Sequence, residues 1–168
     1  MLIGIDPLLD GTLLEVLDHM GHGDQVAVVD RNYPAFSSGR RVVNLGAVST
    51  TQAITAILRV LPLDEATDGS LTCMVAEDGQ LRPSHREVLE VARARHHEEL
   101  GIQLASRMDF YERAARVYAV VRTLDPRSYS CFILRKGVVL DPAEQRPYSD
   151  NTQVLDHGSM RYEQRGTA

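Results

Sequence analysis

Short β-branched and apolar runs alternate along this chain with stretches whose apolar positions recur every three or four residues, and no other feature narrows its possible folds as far. The first helical stripe is Leu13, Leu14, Leu17 and Met20, with Asp10 placed as N-cap and Gly21 where a left-handed C-terminal cap is wanted. A compact strand follows at residues 25–29, ending at Asp30, and then a polar, turn-rich loop at 31–39 that contains Pro34. Residues 42–45 form the next strand, and Ala53, Ile54, Ile57, Leu58 and Leu61 mark a helix over 49–61 that Pro62 stops. Beyond it the spacing predicts a buried strand at 71–76, a charged helix at 83–100 closed by Gly101, a short strand at 102–105 and a short helix at 109–116. Two last strands, 117–122 and 129–135, flank the turn-like Leu124-Asp125-Pro126-Arg127-Ser128 and read as an antiparallel hairpin. The expected fold class is therefore α/β: a single layered domain with a mixed β-sheet flanked by helices, ending in an antiparallel hairpin.

With 168 residues, 43% of them hydrophobic, the chain can bury one core without disulfides or metals. The pattern fades after Leu140, which divides the chain into a domain at 1–140 and a polar C-terminal tail or oligomer arm at 141–168. The net charge of −5, from 23 acidic against 18 basic residues, comes without a cationic face, so nucleic acid is not an expected partner. Residues 1–11 lack a basic, apolar leader pattern, and no window approaches the roughly 20 apolar residues of a membrane span. A soluble, cytoplasmic protein that touches no membrane is expected. Cys73 and Cys131 stand far apart inside apolar stretches, as buried free thiols do, and neither has a CxxC setting.

Few residues have the setting of a chemical group. Gly21-His22-Gly23-Asp24 holds an imidazole between two glycines in a turn from helix to strand, where little bulk would block a ligand. A dinucleotide fingerprint is excluded because position 26 is Val and because that motif links strand to helix. Asp30 ends the following strand, the place from which a carboxylate can reach into a crevice at a sheet edge. Taken alone, a His in a turn and an Asp after a strand are more often solvated or capping groups. His96-His97-Glu98-Glu99 lacks the one-turn spacing of HExxH, and there is no GxSxG elbow, so neither metal chemistry nor nucleophilic hydrolysis is indicated.

Three blocks change the balance. Met20-Gly21-His22-Gly23-Asp24, then Asp30, then Tyr33-Pro34-Ala35 resemble the MGHGD, D and FPA signature of L-fucose mutarotases. Residues 107–114, RMDFYERA, are similar to the R-x-x-FYERA segment of the same RbsD/FucU family, and residues 129–137 to its closing Y-x-x-x-x-L-x-KG strand. The resemblance spans about residues 1–140. It implies an α/β subunit in a ring-like homo-oligomer, expected as a decamer, with monosaccharide sites at subunit boundaries and no cofactor or metal. It further implies His22 as the catalytic group and Asp30, Arg107, Tyr129, Ser130 and Cys131 as substrate-binding positions.

The implied reaction suits those residue types. Opening a hemiacetal removes the anomeric hydroxyl proton and protonates the ring oxygen, after which rotation and reclosure scramble the anomers. Imidazole, with an ordinary pKa of about 6.5, can serve both steps. L-Fucose or a similar aldose is the expected substrate; pyranose–furanose interconversion of D-ribose is the alternative within enzymes, and a non-catalytic sugar-binding oligomer the alternative outside them. Two departures bear on the sugar. Tyr129-Ser130-Cys131 stands where the family tends to carry Tyr-Gly-Asn or Tyr-Ala-Asn, which removes an amide, and Phe36 stands where a His is common.

Overall fold

The computed structural model describes residues 2–64, 68–95 and 100–139 of the chain. The expectations for the His96–Glu99 cluster and for the 141–168 tail lie outside the described residues.

The chain runs through α1 (Gly11–His19), β1 (Gln25–Val29), a 3-10 turn (Ala35–Ser38), β2 (Arg41–Gly46), α2 (Thr50–Ile57), β3 (Leu71–Met74), α3 (Pro83–Arg95), β4 (Ile102–Ala105), α4 (Arg107–Ala114), β5 (Ala119–Thr123) and β6 (Phe132–Arg135). Local chemistry sets the helix starts. Asp10 accepts the Leu13 amide at 2.8 Å, Ser49 and Gln52 form a reciprocal capping box, and Ser106 accepts the Asp109 amide at 3.2 Å. The Ser106 cap begins α4 at Arg107, two residues before its apolar pattern suggests. The end of α1 differs from expectation: Met20 is already extended, and it is Gly23, not Gly21, that takes the left-handed conformation, at φ 85°.

Six strands form one mixed sheet in the order β2-β5-β1-β6-β3-β4. β1, β2 and β5 pair in parallel, as do β3 and β4, and β6 runs antiparallel between β1 and β3. The sheet is thus mixed, but the closing hairpin is not there. A strand has two hydrogen-bonding edges, and β5 uses both, against β1 and β2, so β6 must pair elsewhere. Residues 124–131 carry the chain past the end of β1 instead, where the Asp125 carbonyl accepts the Arg31 amide at 3.2 Å.

Side chains alternate between the two faces of the sheet. Val26 and Val28 join the larger core with α1, α2 and α3, while Ala27 and Val29 join the smaller one with α4. Central strands buried on both faces explain the near-continuous apolar runs in the sequence. Phe132 anchors the larger core and Phe110 the smaller, each burial worth roughly 1.5–3 kcal/mol. The α4 face, covered by one short helix, leaves room for a cavity at the strand ends. Among the described residues, no helix is long and apolar enough to cross a membrane.

Candidate functional site

A cavity of about 300 Å³ opens where β1 and β3 end and antiparallel β6 begins. It is lined by Asp30, Asn32, Tyr33, Met74, Arg107, Tyr111, Ser128, Tyr129 and Cys131. Asp30 comes from the end of β1, Arg107 from the first turn of α4 and Tyr129 from the loop before β6, so three distant segments converge through the topology of the sheet.

Asp30 is almost fully buried, and its Oδ1 accepts the backbone N–H groups of Asn32 at 2.8 Å and Tyr33 at 3.1 Å. This turn fixes the carboxylate without using Oδ2. Behind it, the Cys131 sulfur accepts the Asp30 amide at 3.5 Å. Burial first, and then the charge of Asp30, raise the Cys131 thiol well above its usual range, so it stays protonated and is a poor nucleophile. Tyr33 packs edge-on against Phe110 and Tyr111, and burial pushes its phenol up to about 12. Tyr111 is raised for the same reason. Both phenols remain hydrogen-bond donors across the neutral pH range.

Ser130 does not face this cavity. Its hydroxyl pairs with that of Thr50 and lies 3.5 Å from Asp125 Oδ2. The Asp125 carboxylate also accepts from the Thr50 amide at 2.9 Å and from Arg127, whose Nη1 in turn donates to Glu87 at 2.8 Å. Burial alone would raise Asp125, but hydrogen bonds from Arg127 and Thr50 outweigh it and hold this carboxyl well below the usual carboxylate range. The network pins the 124–131 loop that delivers Tyr129.

His22 stands at the other end of β1. Five residues at about 3.3 Å each separate the strand's two ends by roughly 17 Å, too far for His22 and Asp30 of one subunit to meet on a small ligand. The His22 side chain is 58% exposed, and its Nε2 lies 3.5 Å from Asp64 Oδ2. Arg135 Nε donates to the same oxygen at 3.0 Å. Gly23 permits the turn, and its amide donates to the Lys136 carbonyl at 2.8 Å, tying the His22 loop to the end of β6. Phe36 is likewise outside the cavity, exposed, with the Arg122 guanidinium 5.7 Å above its ring.

The sequence patterns do not mark Asn32, Met74, Ser128 or Asp64, and Tyr111 stands in them only as part of the RMDFYERA block. Tyr33 lay within a recognised block and Asn32 beside Asp30, whereas Asp64 and Met74 sit in segments without a motif. Among the described residues, no group of three His, Cys, Asp or Glu side chains is placed to hold a metal ion.

The profile of the RbsD/FucU transport protein family matches residues 3–139. Among solved structures, Atu2016, described as a candidate sugar-binding protein, is 37% identical, covering 83% of this chain and 97% of its own, with a TM-score of 0.79. The fucose mutarotase of Streptococcus pneumoniae, solved with L-fucose, is 31% identical over 83% of this chain and 100% of its own, with a TM-score of 0.76. FucU from Bifidobacterium longum is 34% identical over 82% and 99%, with a TM-score of 0.76.

Proposed function

Because the chain belongs to the RbsD/FucU family, we propose that it is a monosaccharide mutarotase that opens and recloses the ring of L-fucose or a similar aldose. The observation that carries this reading is the convergence of Asp30, Arg107 and Tyr129 on one cavity of about 300 Å³. That volume is at the lower end of the roughly 300–1,000 Å³ of small-molecule sites.

In this reading Asp30 accepts from sugar hydroxyls, Arg107 donates to sugar oxygens and Tyr129 packs against or donates to the ring. Cys131 shapes the wall beside Asp30, and Ser130 holds the loop from behind. His22 takes the anomeric hydroxyl proton as the bond from C1 to the ring oxygen breaks and returns it to the departing ring oxygen, giving the open-chain aldehyde, a free hydroxyl and a neutral imidazole. Rotation about C1–C2 and the reverse proton transfers return either anomer. No covalent intermediate, electron transfer or cofactor enters the balance, and acid/base help of this kind is worth about 10²–10⁴ in rate.

The distance along β1 gives this mechanism a quaternary requirement. His22 of a neighbouring subunit, presented on its exposed glycine turn and oriented by Asp64, completes the site in a ring-like homo-oligomer. The test is exchange NMR on equilibrium mixtures of L-fucose, D-ribose and related aldoses with and without protein. Faster anomer exchange for L-fucose supports the proposal, and acceleration of D-ribose alone moves the substrate to the pyranase type. Binding without acceleration of any sugar refutes catalysis and leaves a sugar-binding protein.

A further inference from the structure

His85 is fully buried on the first turn of α3, outside the cavity, and its two ring nitrogens have different partners. The Arg82 amide donates to Nδ1 at 2.9 Å, and Nε2 lies 2.9 Å from the Tyr129 carbonyl oxygen. A backbone N–H can only donate, so Nδ1 carries no proton; the proton is on Nε2 and is donated to Tyr129. Burial lowers the imidazole's pKa, against the opposing pull of the Tyr129 and Met74 carbonyls, and the charge of Arg82 adds to the lowering. The ring of Phe132 meets that of His85 edge-on at 5.5 Å and leaves it little freedom to turn.

The carbonyl that His85 holds belongs to an unusual residue. Tyr129, at φ 62°, has the left-handed backbone that L side chains rarely adopt, and no other non-glycine among the described residues shares it. It is also central to the site. A second cavity of about 200 Å³, lined by Val75, Ser106 and Met108 among others, adjoins the first, and Tyr129 and Arg107 line both. A backbone in that conformation persists only where its surroundings over-determine it.

We propose that His85 is a positioning residue for the sugar site: its Nε2–H holds the Tyr129 carbonyl and thereby keeps residue 129 in the left-handed turn that presents its phenol to the cavity. The proposal rests on the mutarotase reading for its substrate, but the contact it assigns is internal to this chain. A plain core histidine capping α3 would use Nδ1 alone, and the bond from Nε2 distinguishes the two.

Two substitutions in the full-length protein separate these roles. In His85→Asn the amide sits where Nδ1 was and can still accept from Arg82, but it cannot reach Tyr129. In His85→Gln the longer amide returns a donor to the Nε2 position. Both are expected to lower the melting temperature, since both replace a packed ring. For the aldose that wild type turns over, His85→Asn is expected to raise KM about tenfold with kcat within about twofold, and His85→Gln to restore KM to within about threefold. KM unchanged in His85→Asn, or raised equally in both, overturns the proposal. If wild type binds a sugar without turnover, the mutarotase reading fails, and dissociation constants from NMR titration replace KM in the same comparison. If no sugar binds, both fall. Should His85→Asn not fold, the wild-type His85 Nε2–H resonance decides: a shift on saturation with sugar is expected, and a resonance indifferent to sugar overturns the assignment.

Discussion

Replacing Gly137 by Ala tests how the closing strand and the His22 turn are built together. A Cβ at Gly137 would lie 2.4 Å from the Leu63 carbonyl oxygen, 2.7 Å from its carbon and 2.9 Å from the Asp64 nitrogen. These are backbone atoms, which cannot rotate aside, and ordinary contact begins near 3.4 Å, so one chain must retreat by about 1 Å. The retreat strains two hydrogen bonds, Gly137 N–H to Pro62 O at 2.9 Å and Asp64 N–H to Arg135 O at 3.0 Å. Overpacking of this kind costs about 2–3 kcal/mol. At about 2–4 °C per kcal/mol for a chain of this size, the melting temperature should fall by about 5–10 °C. The same movement carries Asp64 away from His22, and a misplacement of about 1 Å at a catalytic group can cost up to about 100-fold in rate. Calorimetry and anomer-exchange NMR on one sample read both effects: exchange should fall at least tenfold at a temperature where the variant is fully folded. A variant that melts within about 1 °C of wild type and exchanges sugar normally would refute the close approach of residues 63, 64 and 137, and with it the role given to Asp64.

Asp125 has a depressed carboxyl, so its stabilising contribution is complete above the unfolded pKa of about 3.9 and is lost as pH falls through the lower folded value. Asp125→Asn should therefore destabilise the protein by about 3 kcal/mol near pH 7, and the gap to wild type should shrink below about pH 4; denaturant titrations across that range that run parallel would contradict this. Cys73, pushed up to about 12 by burial, and Cys131, also raised, should both resist a thiol-reactive disulfide at pH 8 until denaturant is added, and rapid native labelling would show that one is exposed.

The local pattern carries much of the fold. β1 and β4 occupy residues 25–29 and 102–105, as their apolar runs and flanking polar residues suggest, and Asp10, Ser49 and Ser106 cap helices through contacts that span three residues. Strand order is another matter. β5 and β6 follow each other in sequence and look like a hairpin, yet β1, about 100 residues earlier, lies between them, because edge pairing is a property of the whole sheet. The cavity divides along the same line. Asp30, Arg107, Tyr129 and Cys131 lie in blocks that sequence singles out, while His85 and Asp64 act through contacts to segments about 40 and 70 residues away. The left-handed Tyr129 has no Gly or Asn to announce it.

The central claim is that the cavity of one subunit and His22 of another act on the same sugar, and subunit mixing tests it most directly. His22→Ala and Asp30→Asn proteins are each expected to leave L-fucose anomer exchange near the uncatalysed rate. When the two are unfolded together in equal amounts and refolded, about one quarter of the boundaries pair an intact cavity with an intact His22, and exchange should recover to about that fraction of wild type. A mixture no more active than its separate parents would contradict the shared site, and full exchange by His22→Ala alone would remove His22 from the chemistry.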